Sequence, residues 1–414
     1  MTSKSVLLGG AALMTALLPA AMASAQTADV IHWWTSGGES RAIGVFADAF
    51  EDAGGTWVDS AMVGGQAARA SAMTRIAGGE PPTAMQWNIG VAVQQLAEEG
   101  LLRPLNDLAE AGNWTDNLPP LIVENATHDG NFYAVPVNIH ADNWMWYSTA
   151  IFDEVGAEPP ETWDDFFAIA DQIQAAGYTP LALGGQPWQE SLMFRTIIIA
   201  EGGRDYYRQV FVDHDAEAAG GPEMVQAFEV FGRLRNYVDE GSPGRLWNEA
   251  TMMVANNEAA IQIMGDWAKG EFNAAGLVAG EDYGCHMAPG TRDAYVLVVD
   301  VFAFPVLDDE DATSAQTMLA EIMMDPATQV EFNRHKGALP ARLDADAGAI
   351  DACAAIGEQI VGDPDAQLPN MALAFSNDVE GQITDLVTEY WNDPDMSAQE
   401  AAERFSDIVA NADS

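Results

Sequence analysis

Several of the 12 tryptophans stand beside side chains that can hydrogen-bond. Trp33 and Trp34 precede Glu39, Trp87 lies between Gln86 and Asn88, Trp144 and Trp146 follow His140, Trp188 is flanked by Gln186 and Gln189, Trp247 precedes Asn248, and Trp267 follows Asp266. A pyranose ring has apolar C–H faces and a rim of hydroxyls, so a site for it needs aromatic plates and a surround of carboxylates and amides. The residue types meet that demand. Successive residues in a strand point to opposite faces, so one of Trp33 and Trp34, next to Thr35-Ser36-Gly37-Gly38-Glu39, is expected to face a cleft. Trp114, Trp163 and Trp391 read as ordinary core residues. Asp300 interrupts the apolar run Ala294–Val306. An unpaired carboxylate would be costly there, so a partner such as Lys336 or a ligand hydroxyl should satisfy it.

Other chemistries find little support. No two of His32, His128, His140, His214, His286 and His335 have the three- or four-residue spacing that puts both on one helix face, so no zinc site is expected. Asp344 and Asp346 lack the glycine and terminal glutamate of a calcium loop and read as a solvated turn. The chain has no GxxxxGK[ST], no GxGxxG after a strand and no GxSxG, and no metal or organic cofactor is implied. The competing class is an exported glycoside hydrolase, in which Glu39 with Asp300 or Asp266 would form a carboxylate pair ~5–10 Å apart.

The elements that must position these residues follow from hydrophobic periodicity. Val30–Trp34, Trp57–Val63 and Ala84–Trp87 read as strands, alternating with helices over Ser40–Phe50, Gln66–Ala77 and Val91–Glu99. Alternating strands and helices with short links predict a parallel α/β sheet, with ligands at the carboxyl ends of strands. Tyr133–Tyr147 is extended and aromatic. Helices are expected over Trp163–Ala175, Ser191–Ala200, Met224–Glu240 and Glu249–Asn256. A strand signal returns near Ala294–Val306, and helices over Ala312–Met324, Ala327–Lys336, Val379–Asn392 and Ser397–Ala410 fill most of the tail. No repeat or flexible linker separates the two halves.

With 414 residues, 48% hydrophobic and 19% charged, the chain can form two domains with sizeable cores. Asp plus Glu number 63 against 17 Lys plus Arg, a formal charge of -46, which disfavours nucleic acid and anionic membrane surfaces as partners. Residues 1–25 combine Lys4, the apolar stretch Val6–Met22 and Ala23-Ser24-Ala25, the pattern of a secretory signal peptide cut after Ala25, and no later stretch has the length of a membrane span. A free, exported chain follows. Its two cysteines, Cys285 and Cys353, are expected to form a disulfide closing a loop of roughly 70 residues, two buried thiols being the alternative.

An ordered series of motifs resembles a known family. Ile31-His32-Trp33-Trp34-Thr35-Ser36-Gly37-Gly38-Glu39 behind a signal peptide, Gly265-Asp266-Trp267-Ala268, Asp300 within Val298–Pro305, and Lys336-Gly337-Ala338-Leu339-Pro340-Ala341-Arg342 are similar to the periplasmic sugar-binding proteins of ABC importers, nearest the glucose/mannose branch. The resemblance implies an α/β fold of two lobes, the type II periplasmic binding fold, each lobe a mixed or parallel sheet flanked by helices. Residues 26–138 with about 296–345 would form one lobe, and 139–295 with about 346–414 the other. It further implies that Trp33 and Trp34 stack on the sugar, that Glu39 accepts its hydroxyls, and that Gln86, Trp87, His140, Trp267, Asp300 and Lys336 line the same cleft. A monomeric periplasmic receptor would then deliver a monosaccharide to the membrane permease without altering it. One departure bears on which sugar: glucose binders often carry His in a Ser-Met-Ala-His type segment, where Asn370-Met371-Ala372-Leu373 here offers Leu373.

Overall fold

A computed structural model describes residues 26–346, 348 and 351–412, so the expected signal peptide lies outside the described residues. The first sheet has five strands in the order Thr56–Ala61, Thr27–His32, Ala84–Asn88, Asp300–Ala303, Ala134–Pro136. Its first three pair in parallel and Asp300–Ala303 runs antiparallel to both its neighbours. The central strands are almost wholly buried, as the apolar runs require of a sheet covered on both faces. The Gly37–Asp52 helix begins earlier than the apolar periodicity suggests, because Ser36 and Glu39 form a capping box that satisfies its first amides. It buries Ile43, Phe46 and Phe50, and Phe46 stacks on Phe332 of the Pro326–Lys336 helix at 4.5 Å between ring centres.

A second sheet orders Tyr283–Met287, Trp144–Ser148, Ala259–Ile263 and Thr179–Leu181. The long Pro187–Phe211 helix beside it breaks at Gly203, where φ is +79°. The helix expected over Met224–Glu240 ends at Leu234 and passes into a single 3₁₀ turn. The architecture is therefore α/β with two lobes, each a sheet flanked by helices. Among the described residues no helix is long and apolar enough to cross a membrane.

Three passages of chain between the sheets run side by side. His140–Ala141 pairs antiparallel with Tyr295–Val298, which pairs in parallel with Gln367–Pro369. Ile139 and Leu339 exchange backbone hydrogen bonds of 2.8 and 3.1 Å, which brings a fourth stretch of chain against the first. The disulfide forms as expected, joining Cys285 to Cys353 with Cα atoms 5.8 Å apart, and ties the Ala352–Val361 helix to the second sheet.

Candidate ligand-binding cleft

The polar residues singled out in the sequence converge where these passages meet. Asp300 opens a strand of the first sheet and is 4% exposed. Its carboxylate accepts hydrogen bonds from Asn138 Nδ2 at 2.8 Å, Asn88 Nδ2 at 3.1 Å and Gln86 Nε2 at 3.4 Å, and lies 3.4 Å from His140 Nε2. Its own amide donates to Asn138 Oδ1 at 2.8 Å. Burial opposes the charge, but the hydrogen bond from His140 and the charges of Lys336 and His140 outweigh it and hold the carboxyl below its ordinary range.

His140 is the bridge of a buried triad. Its Nδ1 meets the Asp266 carboxylate and its Nε2 faces Asp300. Burial disfavours the imidazolium, yet the Asp266 carboxylate offsets that and leaves the pKa above the usual histidine value. The Nε2 atom also lies 3.0 Å from Asn138 Nδ2, whose amide donates to Asp300 at 2.8 Å. The Ala141 amide donates to the second Asp266 oxygen at 3.2 Å, fixing that side chain in turn.

Lys336 ends its helix with Nζ 3.6 Å from Glu39 Oε1, both residues buried. Of the partners offered for Asp300, Lys336 acts on it through its charge only, and its ion pair goes to Glu39, whose carboxylate takes part in the Ser36 capping box. Burial raises the pKa of Glu39, and the Lys336 charge works against that rise. Ser36 Oγ lies 3.1 Å from Glu39 and 2.7 Å from Glu271 Oε1, which also accepts from the Gly38 amide at 2.7 Å. Such an approach requires bare backbone. A Cβ on Gly38 would stand 2.8 Å from the Gly270 carbonyl, and one on Gly270 would stand 2.6 Å from His335 O.

The tryptophans divide. Trp33 is half-buried, with its amide donating to Gln86 Oε1 at 3.0 Å, and Trp267 is half-buried with its ring edge-on to His140 at 5.5 Å. Trp188 adjoins Trp267 at 6.2 Å. Trp34 does not serve as an open plate. It is 1% exposed and wedged between Phe302 at 5.6 Å and Phe332 at 5.2 Å, with Lys336 Nζ 5.6 Å from its ring. Just past the end of the Thr27–His32 strand the two neighbours point apart, Trp33 staying half-buried beside Gln86 and Trp34 turning into the core. Trp87 is 3% exposed and packed in the same core. The nine predicted residues are linked by contacts into one neighbourhood, in which Trp34 and Trp87 are buried in the core.

Sequence reasoning overlooked Asn138, Arg69 and Glu271. Asn138 lies in the extended stretch before His140, but a single amide carries no spacing signal. The Arg69 guanidinium lies 5.5 Å from the Trp33 ring and 5.9 Å from that of Trp87. Leu373 is half-buried in the short Met371–Ala374 helix, whose backbone meets Gly90 so closely that a Cβ there would stand 2.0 Å from Ala372 O. Among the described residues no group of three or more His, Cys, Asp or Glu could hold a metal ion.

Residues 46–356 match the family model described as bacterial extracellular solute-binding protein. A probable sugar-binding periplasmic protein of Brucella melitensis is 39% identical over 406 residues, spanning 95% of this chain and 94% of the relative. Among solved structures, a chitin oligosaccharide binding protein aligns with a TM-score of 0.80 at 19% identity, covering 94% of this chain and 98% of that one. The solute receptor AcbH, described as having an exclusive preference for β-D-galactopyranose, aligns at 0.76 with 18% identity, covering 93% and 98%. At such identities the two structures speak for the shared two-lobe fold alone.

Proposed function

The chain belongs to the bacterial extracellular solute-binding proteins, as a periplasmic sugar-binding component of an ABC transporter and not an enzyme, and from that premise we propose that its ligand is a monosaccharide of the glucose or mannose type. The observation that carries this reading is the buried meeting of Asp300, His140, Asn138, Gln86, Glu39 and Lys336 beside the half-buried rings of Trp33 and Trp267. One ring-sized solute would stack on an indole face and exchange hydroxyl contacts with charged groups already oriented for it. A dissociation constant near ~1 μM needs ~8 kcal/mol, and several charge-assisted hydrogen bonds at ~1.5–3 kcal/mol each cover that with closure costs subtracted.

In this reading residues 26–138 with about 296–345 move against 139–295 with about 346–414, the paired passages at His140, Val298 and Leu339 serving as the hinge. Sugar bridges the lobes and shifts the equilibrium toward a closed form that the permease recognises, the receptor acting as a monomer after removal of residues 1–25. A thermal-shift screen over aldohexoses, small oligosaccharides and amino acids tests the ligand class, since a ligand at 100 times its dissociation constant adds ~2.7 kcal/mol of stability. An aldohexose giving the largest shift supports the reading. A winning oligosaccharide would move the ligand to the class named for the chitin-oligosaccharide binder, and a winning amino acid would overturn it.

A further inference from the structure

Most basic side chains of this strongly acidic protein end on a carboxylate: Arg75 on Asp29, Arg195 on Asp142, Arg245 on Asp239 and Lys336 on Glu39. Arg69 does not. It is half-buried on the Gly65–Ala77 helix, and its side chain makes no hydrogen bond or ion pair among the described residues. Its guanidinium lies over Trp33 at 5.5 Å and Trp87 at 5.9 Å, and Gly65, one turn earlier, also lies beside the Trp33 ring. Burial is the main influence on its charge, and Glu380, a half-buried residue of the Asn377–Asn392 helix, is the one acid that acts on it. A guanidinium carries five donors in a rigid fork, and desolvating them without acceptors is unfavourable unless acceptors arrive.

We propose that Arg69 is a specificity-determining residue whose guanidinium donates to two adjacent hydroxyl oxygens of a neutral sugar seated against Trp33. This rests on the sugar-binding reading and deepens it. The acceptors are neutral because Glu380, the acid that acts on Arg69, would repel a carboxylate in a chain that is strongly acidic overall. A forked donor on a vicinal diol reads relative configuration, since epimers place only one oxygen in reach.

The test is isothermal titration of wild type, Arg69→Met, Arg69→Lys and Glu380→Gln with D-glucose, D-mannose, D-galactose and D-glucuronate. Arg69→Met keeps an apolar stem over the two rings and removes the donors, and circular dichroism with thermal melts confirms that each variant folds. The expected result is a tenfold to hundredfold loss in Arg69→Met for the aldohexose preferred by wild type, with the spread between aldohexoses shrinking to within about threefold. Arg69→Lys should lose discrimination while keeping part of the affinity, and Glu380→Gln should keep the wild-type ranking. An unchanged affinity and ranking in Arg69→Met would overturn the proposal. So would an equal loss for every sugar in both Arg69→Met and Glu380→Gln, which would make Arg69 only an electrostatic contact to Glu380. Glucuronate binding best to wild type would replace the hydroxyls by a carboxylate as acceptor. A wild type that binds none of the four sugars would instead sink the underlying reading.

Discussion

Glu271 accepts a hydrogen bond from the Gly38 amide at 2.7 Å, so a carboxylate from the Ala268–Ala274 helix, between two strands of the second sheet, caps the first turn of the helix carrying Glu39. The same oxygen accepts from Ser36 Oγ at 2.7 Å. A negative group at a helix N-terminus is favourable, and in the proposed hinge motion this contact joins elements that part. Replacing Glu271 by Ala should cost ~1.5–3 kcal/mol of the closed form, seen as sugar dissociating ten- to a hundredfold faster in stopped-flow measurements. Unaltered dissociation would mean that the contact survives opening.

The two adjacent tryptophans should separate function from stability. Trp34→Ala removes a ring packed between Phe302 and Phe332 and should lower unfolding free energy by ~3–5 kcal/mol in urea titrations. Trp33→Ala should instead abolish the ligand-induced thermal shift while leaving the ligand-free melting temperature within a few degrees of wild type. Equal destabilisation by both would contradict the division of faces.

The triad of Asp266, His140 and Asp300 predicts a limited pH range. The pKa of His140 is raised on folding, so its contribution is present in full below the ordinary histidine value of ~6.5 and is lost as pH rises through the raised one. That of Asp300 is lowered, so its contribution is present above ~3.9 and is lost as pH falls through the lowered value. His140→Gln should therefore flatten the alkaline limb of a stability profile measured by thermal unfolding. An alkaline limb identical to wild type would count against a charged His140.

Reduction should weaken the fold without dismantling it. Opening Cys285–Cys353 frees a loop with a sequence separation of 68 and should cost ~4 kcal/mol on the chain-entropy estimate. Chemical denaturation with and without reductant measures this directly, and coincident curves would show that the Ala352–Val361 helix is held by packing alone.

What the sequence disclosed followed from physical rules with a local signature. Asp300 stood out because a charge inside an apolar run demands partners, and the Gly37–Asp52 helix because its apolar face repeats with helical period. The partners themselves were less visible. Asn138 carries no charge or period that marks it, and Arg69 lies in a helix where a base looks like any solvated residue. Glu271 reaches Ser36 across 235 residues of chain, a pairing that only the fold creates. The Trp33-Trp34 pair was half legible: alternation says that one ring faces the cleft, and only the burial of the other against Phe302 says which.

The glycines at 38 and 270 carry a consequence for engineering. A methyl at either would act as a doorstop, propping apart two backbones that must touch, and the resulting chain should remain folded yet be unable to shut around its cargo. Under the proposed closure, such a jammed receptor would give transport experiments a matched negative control, and a fluorophore placed beside the jamb would turn the chain with both glycines kept into a sensor of its ligand.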